Sequence, residues 1–381
     1  MIEIKNKVDC CGCHACMNIC PKKAIIMKED DKGFKYPVID KKKCINCGLC
    51  NKVCPILNDN PCEKQIEVWA MYNKNITERL ESSSGGIFIL LAKEILKKDG
   101  VVFGAMFDEK FNVYHSYILG EDELYKLQGS KYVQSNIEDS YKKAKEFLDA
   151  GKYVLFTGTS CQIEGLNHYL NKEYSRLYTQ DIICHGVPSP KVWKKYLEYL
   201  KQQKEEEISS ISFRNKDNGW KAFQMKVLFG KNTYCMNHSD DLFMKSFLWN
   251  VCLRDSCYNC KFKKKYRNSD ITLGDFWGIN FALPELNDDK GISMVILNSV
   301  KGKEMFDNIK ANCVYEKTKE EYIFKYNSAY LKSVEKSINR EEFFGDLDNI
   351  EFDKLVNKYI PKITFTKKIK RKIRSFFNKE K

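Results

Sequence analysis

The pattern of apolar and polar positions predicts a sheet with helices packed against it in the middle of the chain. Short apolar runs at 101–106, 153–156, 177–184 and 294–298 have the length of buried strands. Longer stretches at 86–98, 137–150 and 190–204 carry apolar residues at helical spacing. Because strand-like and helix-like segments alternate, we predict an α/β domain over 67–345, with a mixed sheet covered by helices.

The first 60 residues follow a different pattern, dominated by nine cysteines. Two segments read C-x2-C-x2-C-x3-C-P, at a spacing of 34 residues from Cys10 to Cys44. This doubled spacing is typical of bacterial ferredoxins, in which the fourth cysteine of each run ligates the other cluster. We therefore predict an α+β ferredoxin-type domain at 1–60 with two [4Fe–4S] clusters. The predicted ligands are Cys10, Cys13, Cys16 and Cys54 for cluster one, and Cys44, Cys47, Cys50 and Cys20 for cluster two.

Zinc and disulfides are the alternatives for these cysteines. A zinc site takes two pairs of ligands and does not explain a third cysteine and a Cys-Pro in each segment. Cys11 and Cys62 fit no ligand position, and we predict no role for either. Seventeen cysteines in one chain fit a reducing compartment, where metal ligation is commoner than disulfide bonding.

A second set of cysteines lies further along the chain. Cys161 follows a predicted strand, Cys184 ends another, and Cys257 and Cys260 form a C-x-x-C pair. Because the ends of parallel strands meet at one sheet edge, these four thiols could form one site. The spacing alone leaves open a zinc half-site, a redox pair or buried thiols without ligands. Cys252 is a rival ligand, whereas Cys235 and Cys313 are predicted core residues.

Several local motifs in series carry a resemblance to a known family. The motifs are Ser-Ser-Gly-Gly at 83–86, Gly-Ser-Lys-Tyr-Val-Gln-Ser at 129–135, Gly-Thr-Ser-Cys-Gln-Ile-Glu-Gly-Leu at 158–166, Cys-His-Gly-Val-Pro-Ser-Pro at 184–190, Cys-Tyr-Asn-Cys-Lys-Phe at 257–262, and Asp-Ile-Thr-Leu-Gly-Asp-Phe-Trp-Gly at 270–278. Over roughly residues 1–345 the chain resembles the coenzyme F420 hydrogenase/dehydrogenase beta subunits, with a ferredoxin domain fused at the front. The resemblance implies FAD and a third [4Fe–4S] cluster, with ligands Cys161, Cys184, Cys257 and Cys260.

The residues themselves give a weaker case for flavin binding. Small residues before the helix at 86–98 would let backbone N–H groups approach a pyrophosphate, although Ser84 could equally be an ordinary N-cap. Ser130, Lys131 and Tyr132 offer a cation and hydroxyl groups, and a solvated loop is the alternative. Thr157, Gly158 and Thr159 form a strand-to-helix turn where an anion could bind. Asp275 is a carboxylate beside aromatic residues, and core packing is its alternative. The cofactor-binding set is Ser83, Ser84, Gly85, Gly86, Ser130, Lys131, Tyr132, Thr157, Gly158, Thr159 and Asp275; no catalytic residue is assigned.

The net charge of +13 adds a possibility at the C-terminus. Residues 360–381 are predicted to form a basic tail whose apolar residues recur at helical spacing. That pattern suits peripheral contact with an anionic membrane, and a frayed terminus explains it equally well. The apolar run at 87–92 is too short to span a bilayer, and no recognisable nucleic-acid-binding module is present. We predict a cytoplasmic or membrane-peripheral protein that does not bind nucleic acid.

Together these features predict an iron–sulfur flavoprotein oxidoreductase. It would pass electrons between its clusters, FAD and a redox partner protein or small-molecule electron donor or acceptor. The resemblance suggests the deazaflavin coenzyme or a substrate of surface-polysaccharide synthesis. A non-catalytic electron-transfer subunit of a larger complex is the alternative.

Overall fold

The N-terminal region is a small α+β unit built around one hairpin. The computed structural model describes residues 2–58 and 65–361. Strands β1 (Ile25–Glu29) and β2 (Lys35–Ile39) pair antiparallel, and short helices α1 (Ala15–Ile19) and α2 (Leu49–Lys52) lie between the cysteines. This arrangement confirms the predicted ferredoxin-type fold of the region.

The remaining strands form one large sheet and one small sheet. In chain order they are β3 (Glu67–Asn73), β4 (Val101–Phe107), β5 (Val113–Ile118), β6 (Val154–Thr159), β7 (Leu177–Ile182), β8 (Ile208–Asn215), β9 (Gln224–Phe229), β10 (Thr233–Asn237), β11 (Ile271–Asp275), β12 (Ser293–Leu297) and β13 (Cys313–Thr318). The large sheet has the order β13-β3-β12-β11-β7-β6-β4-β5. Its centre is parallel, from β4 through β6 and β7 to β11, and its flanks are antiparallel.

Helices cover this sheet and extend beyond it. They are α3 (Ile76–Glu81), α4 (Ile87–Leu96), α5 (Leu124–Leu127), α6 (Ser140–Asp149), α7 (Ser160–Leu170), α8 (Pro190–Lys204), α9 (Leu242–Leu248), α10 (Ile279–Ala282), α11 (Val300–Ile309), α12 (Glu321–Tyr326), α13 (Arg340–Gly345) and α14 (Phe352–Tyr359). The mixed sheet with its helical cover confirms the predicted fold class. The four predicted strands coincide with β4, β6, β7 and β12, and the three predicted helices with α4, α6 and α8.

The two faces of the sheet bury alternate residues of the same strands. Val102 and Leu155 belong to the core beneath α4 and α11. Their neighbours Phe103 and Phe156 belong to the opposite core, with α6 and α7, and their rings stack with centroids 5.3 Å apart. This alternation is what a strand covered on both sides requires, because successive side chains point to opposite faces.

A third core joins the small antiparallel sheet to the helices near the C-terminus. The order β10-β9-β8 packs against α8, α9, α13 and α14, with Trp193 and Phe243 fully buried between them. Helix α14 lies beyond residue 345, the predicted end of the α/β domain. The predicted domain boundaries stay predictions. The basic tail predicted for 360–381 falls largely on 362–381, outside the described residues. No helix in the described ranges is long and apolar enough to span a bilayer.

Candidate functional site

The two cysteine runs of the N-terminal region fold into two small cavities. Each cavity is lined by the first three cysteines of one run and the fourth cysteine of the other. One has Cys10, Cys13, Cys16 and Cys54, and the other has Cys44, Cys47, Cys50 and Cys20. The structure therefore brings together both predicted ligand sets.

The first of these cavities lies against the large domain. Cys13, Cys16 and Cys54 are buried, and α7 approaches so closely that a Cβ at Gly165 would be 2.8 Å from that of Cys13. Arg254, which sequence reasoning missed, is fully buried at this junction. Its Nε donates to the Cys10 carbonyl oxygen at 2.8 Å, and an Nη lies 3.6 Å from Cys10 Sγ. Arg254 thus attaches the ferredoxin region to the large domain beside a predicted ligand.

The second set of cysteines converges at one edge of the sheet. Thr159 and Ile182 pair at the carboxyl ends of β6 and β7, so Cys161 and Cys184 each follow two residues later. The 3-10 turn Asp255–Asn259 brings the C-x-x-C pair to the same place. A cavity there is lined by all four predicted thiols, Cys161, Cys184, Cys257 and Cys260. No group of His, Cys, Asp or Glu in the described residues has the arrangement of a single-ion site.

Cationic side chains line the same cavity. Lys263 donates to the Cys184 carbonyl oxygen at 2.6 Å, and the buried Arg267 lies beside it. Burial raises the pKa of the Cys184 thiol to about 12 and lowers that of Lys263. Thiolates in such a place need a positive centre to stabilise them, and a bound metal centre supplies it. The donors and charges therefore fit a thiolate-ligated cluster.

Cys11 lies between two of the cavities. It is buried, and it lines both the Cys10–Cys54 cavity and the Cys161–Cys260 cavity. Its thiol lies beside those of Cys13 and Cys161. The expectation that Cys11 has no ligand role stays a prediction, and its position beside α7 could not be predicted from spacing within one run.

Three other cysteines lie outside the cavities. Cys252 is fully buried in the core beneath α8 and α9, so the structure does not favour it as a rival ligand. Cys313 is buried as predicted. Cys235 is exposed on β10, and the prediction of a core position was wrong because β10 is an edge strand whose outer face meets solvent.

A much larger cavity, of about 640 Å³, opens beside the cysteine-lined cavity. Ten of the eleven predicted cofactor-binding residues line it: Ser83, Ser84, Gly86, Ser130, Lys131, Tyr132, Thr157, Gly158, Thr159 and Asp275. Gly85 is behind the wall, where its N–H donates to Ser293 Oγ at 3.0 Å. A Cβ at Gly85 would be 2.4 Å from the Met71 carbonyl oxygen, so its small size serves packing on the sheet.

The start of α4 faces this cavity without a side-chain cap. Gly86 is the N-cap residue, with φ of 79°, and no side chain accepts from the first N–H groups. Ser84 donates instead to the Ile292 carbonyl oxygen at 2.9 Å, so the alternative of Ser84 as N-cap was wrong. Uncapped N–H groups at the start of a ten-residue helix attract anions, and here they lie at the cavity wall.

The start of α7 differs, because its own side chains cap it. Thr159 and Gln162 form a capping box, so this helix end has fewer free N–H groups for an anion than expected. Beneath it, His115 bonds the Thr157 carbonyl oxygen and Ser135 Oγ, and burial lowers the pKa of His115 to about 4. The floor of the cavity is therefore polar but uncharged at neutral pH.

Asp275 is ion-paired within the wall. Arg214, which sequence reasoning missed, donates from its two Nη atoms to the Asp275 carboxylate at 2.8 and 3.1 Å, and also to the Tyr132 hydroxyl at 3.0 Å. Trp220 Nε1 adds a bond to Asp275 at 2.8 Å. The carboxylate is thus held in place by the protein, and Arg214 joins β8 to the end of β11.

Lys131 is the cavity cation with the fewest partners. Its Nζ donates to two backbone carbonyl oxygens, of Gln128 at 3.1 Å and Gly129 at 3.2 Å. An ammonium has three donors, so one remains for a ligand. Desolvation lowers the pKa of Lys131 to about 7. An anion bound in the cavity would favour the charged form of this lysine and raise its pKa.

The segment 184–187 forms a wall shared by the two cavities. Cys184, His185, Gly186 and Val187 line both the large cavity and the cysteine-lined one. His185 Nε2 bonds Asn250 Oδ1 at 2.7 Å, and its ring meets Phe247 edge to face. Thr159 also lines both cavities, so a group held in the large cavity would lie next to Cys184 and be separated from the other three thiols by little more than these residues.

A buried carboxylate holds the sheet edge under the four thiols, and removing its charge should weaken the fold. Asp181 accepts from Ser160 Oγ at 2.6 Å, from Arg267 at 2.7 Å and from Ser269 Oγ at 2.9 Å. Asp181→Asn leaves Arg267 buried without its counterion, so we expect the free energy of unfolding to fall by about 3 kcal/mol. Denaturant unfolding under anaerobic conditions measures this change.

The matched control for that variant is Asp307→Asn, which removes an exposed ion pair with Lys310. Exposed pairs contribute little, so this variant should unfold like the unaltered protein. Equal stability of both variants would show that the Asp181 network does not hold the edge.

Both regions of the chain match known protein families. Residues 151–322 match the family model for the C terminus of the coenzyme F420 hydrogenase/dehydrogenase beta subunit, and residues 9–57 match that of the "4Fe-4S dicluster domain". The chain is 34% identical to ketoisovalerate oxidoreductase subunit VorC of Methanothermobacter marburgensis over 55 residues, 14% of this chain and 70% of that protein. It is 20% identical to the F subunit of the F(420)H(2) dehydrogenase of Methanosarcina mazei over 167 residues, 40% of this chain and 46% of that one.

Among solved structures, a chain of the F420-reducing [NiFe] hydrogenase complex from Methanosarcina barkeri aligns with a TM-score of 0.49 and 14% identity. The alignment covers 75% of this chain and 94% of that one. The chain spans 70% of the length of VorC and less than half of the length of the dehydrogenase subunit. The region 9–57 is thus a domain for two [4Fe–4S] clusters, and residues 151–322 belong to the family of the C-terminal region of coenzyme F420 hydrogenase/dehydrogenase beta subunits.

Proposed function

We propose that this protein is an iron–sulfur flavoprotein oxidoreductase with three [4Fe–4S] clusters and one FAD. The observation that carries the proposal is the contiguity of its cavities. The Cys10–Cys54 cavity meets the Cys161–Cys260 cavity at Cys11, and the latter meets the large cavity along 184–187. Redox groups held in these places would lie close enough in series to exchange electrons.

The proposed cluster ligands are the three sets of four thiols already described. Each set surrounds its own cavity, and soft thiolate donors are what iron–sulfur clusters require. Backbone N–H groups point at several of these sulfurs: Val187 at Cys257 (3.4 Å), Ala24 at Cys20 (3.3 Å) and Ile2 at Cys50 (3.1 Å). Such hydrogen bonds stabilise negative charge on sulfur and raise the reduction potential of a bound cluster.

The proposed flavin site is the large cavity. Its size suits a dinucleotide, since drug-sized and cofactor sites span about 300–1,000 Å³. The uncapped start of α4 would hold the pyrophosphate, and Lys131 would donate to an anionic oxygen. When bound, a flavin supplies two-electron chemistry, which the one-electron clusters lack.

The cavity walls favour an isoalloxazine over a purely polar ligand. Phe247 stacks on Tyr132 at the side of the cavity, with centroids 5.1 Å apart. Trp277 lies across from them, 42% exposed and stacked on Trp220 with centroids 4.9 Å apart. Aromatic surface of this kind packs against planar rings.

Two kinds of molecule could exchange electrons with the flavin. The deazaflavin coenzyme named in the relatives is one candidate, and a substrate of surface-polysaccharide synthesis is another. The alternative function, a non-catalytic electron-transfer subunit, is favoured by relatives named as subunits of larger enzymes. Such a subunit would hold its clusters in a reducing cytoplasm, and a partner protein would catalyse the reaction.

One measurement distinguishes these functions. Protein purified anaerobically is denatured, the released flavin is identified by chromatography and mass, and iron is counted per chain. We expect about one FAD and about 12 irons, four for each of three clusters. About 8 irons without flavin would instead support the electron-transfer subunit.

A further inference from the structure

The cavity of the second cluster opens to solvent. Of its four thiols, Cys47 is exposed and Cys44 and Cys20 are partly exposed. Ile45, between two of these thiols, is 59% exposed. The first cluster's cavity is covered by α7 instead. Of the two dicluster cavities, the second is therefore the one that another protein could approach most closely.

Lysines surround this opening. Lys22 and Lys23 follow Cys20, Lys41 to Lys43 precede Cys44, and Lys52 follows Cys50; all six are exposed. Asp40 is paired with Lys43 at 3.6 Å. Within the described residues no carboxylate lies within ion-pair distance of the other five lysines. We name this area, with Ile45 at its centre, the lysine-rimmed face.

We propose that the lysine-rimmed face docks an acidic one-electron carrier protein. This proposal rests on the proposed electron-transfer function and adds the partner's chemistry and its place. Unpaired positive charge steers an acidic partner, and the apolar centre gives it a surface that excludes water. In the step itself the reduced carrier loses one electron and the dicluster domain gains one; no bond breaks and no proton moves.

The arrangement favours a redox protein over a nucleic acid. Phosphates would use the lysines, but they would gain nothing from an exposed isoleucine beside a cluster ligand. An acidic carrier uses all three features: the charge for encounter, Ile45 for close packing, and Cys47 for a short distance to the cluster.

The test uses the whole anaerobic protein and an acidic flavodoxin as the probe. Oxidised flavodoxin is titrated by calorimetry at low ionic strength, and reduced flavodoxin is mixed with the protein in a stopped-flow instrument, with the flavodoxin's absorption as the readout. Charge reversal in Lys41→Glu/Lys42→Glu should weaken binding and slow transfer by about tenfold or more. The difference should vanish at high salt, where the exposed charges are screened.

The matched control is Lys97→Glu/Lys194→Glu, which makes the same charge change at exposed positions on α4's end and α8. It should behave like the unaltered protein, and dithionite should reduce all three forms equally, showing intact clusters. Equal flavodoxin binding by both variants, no salt dependence, or tight binding of duplex DNA in place of flavodoxin would overturn the proposal. Binding of oxidised flavodoxin needs neither a flavin nor a third cluster in this chain. If the flavoprotein function is wrong, flavodoxin should therefore still bind, and the two failures can be told apart.

Discussion

Cys257→Ser should lower the iron content from about 12 to about 8 per chain while FAD stays bound. The thiol of Cys257 lines the cavity of four cysteines, and the Val187 N–H points at its sulfur. A serine hydroxyl is a hard, weakly acidic ligand that cannot replace a thiolate on iron. Cys257 does not line the large cavity, so the flavin site should keep its shape. Iron analysis, flavin release and electron paramagnetic resonance of the reduced protein measure the three parts of this result.

Two further variants make that result specific. Cys260→Ser should have the same effect, since both thiols line the same cavity. Cys235→Ser, at an exposed position on β10, should leave iron and flavin unchanged. Unchanged iron in both ligand variants would remove the third cluster from the proposal. Joint loss of iron and flavin would show that Cys257 also supports the flavin site.

The sequence predicted those parts of the molecule that carry a strong local signal. The spacing of the cysteines alone predicted the two crossed ligand sets, because most ligands of a cluster lie on one short loop. The buried strands β4, β6 and β12 were predictable because each contains a continuous apolar run. The small sheet was not predictable. Buried and exposed residues do not alternate regularly along β8, and its pairing with β9 shifts register at Ile208/Ser210 and Ser212/Asn215.

The site was less predictable wherever residues far apart in sequence meet. Arg214 and Asp275 lie 61 residues apart, and Arg254 and Cys10 lie 244 apart. Neither arginine belongs to a motif, and only the folded chain shows that both are buried. The position of Cys11 was not predictable for the same reason: its contact with Cys161 depends on how α7 packs against the ferredoxin region.

Lys131→Met should weaken flavin binding on the order of 10- to 100-fold, the usual loss for one charge-assisted hydrogen bond. Methionine keeps most of the apolar part of the side chain, and it removes the cation, which lies over the Phe107 ring 5.6 Å from the centroid. Lys126→Met is the control, because Lys126 is exposed nearby and pairs with Glu123 on the surface. Titration of flavin-depleted protein with FAD, followed by fluorescence, gives the dissociation constants.

The pH dependence separates a direct contact from a general loss of structure. Without ligand, desolvation holds the pKa of Lys131 near 7, and bound phosphate would raise it. Below pH 7 the lysine is charged in both states, so affinity should not change with pH. As pH rises above 7 the free protein loses the proton that the complex keeps, and affinity should fall, by at most about tenfold per pH unit. In Lys131→Met this slope should disappear, whereas Lys126→Met should retain it. A slope that persists without Lys131 would assign the titration to another group and remove this lysine from the flavin site.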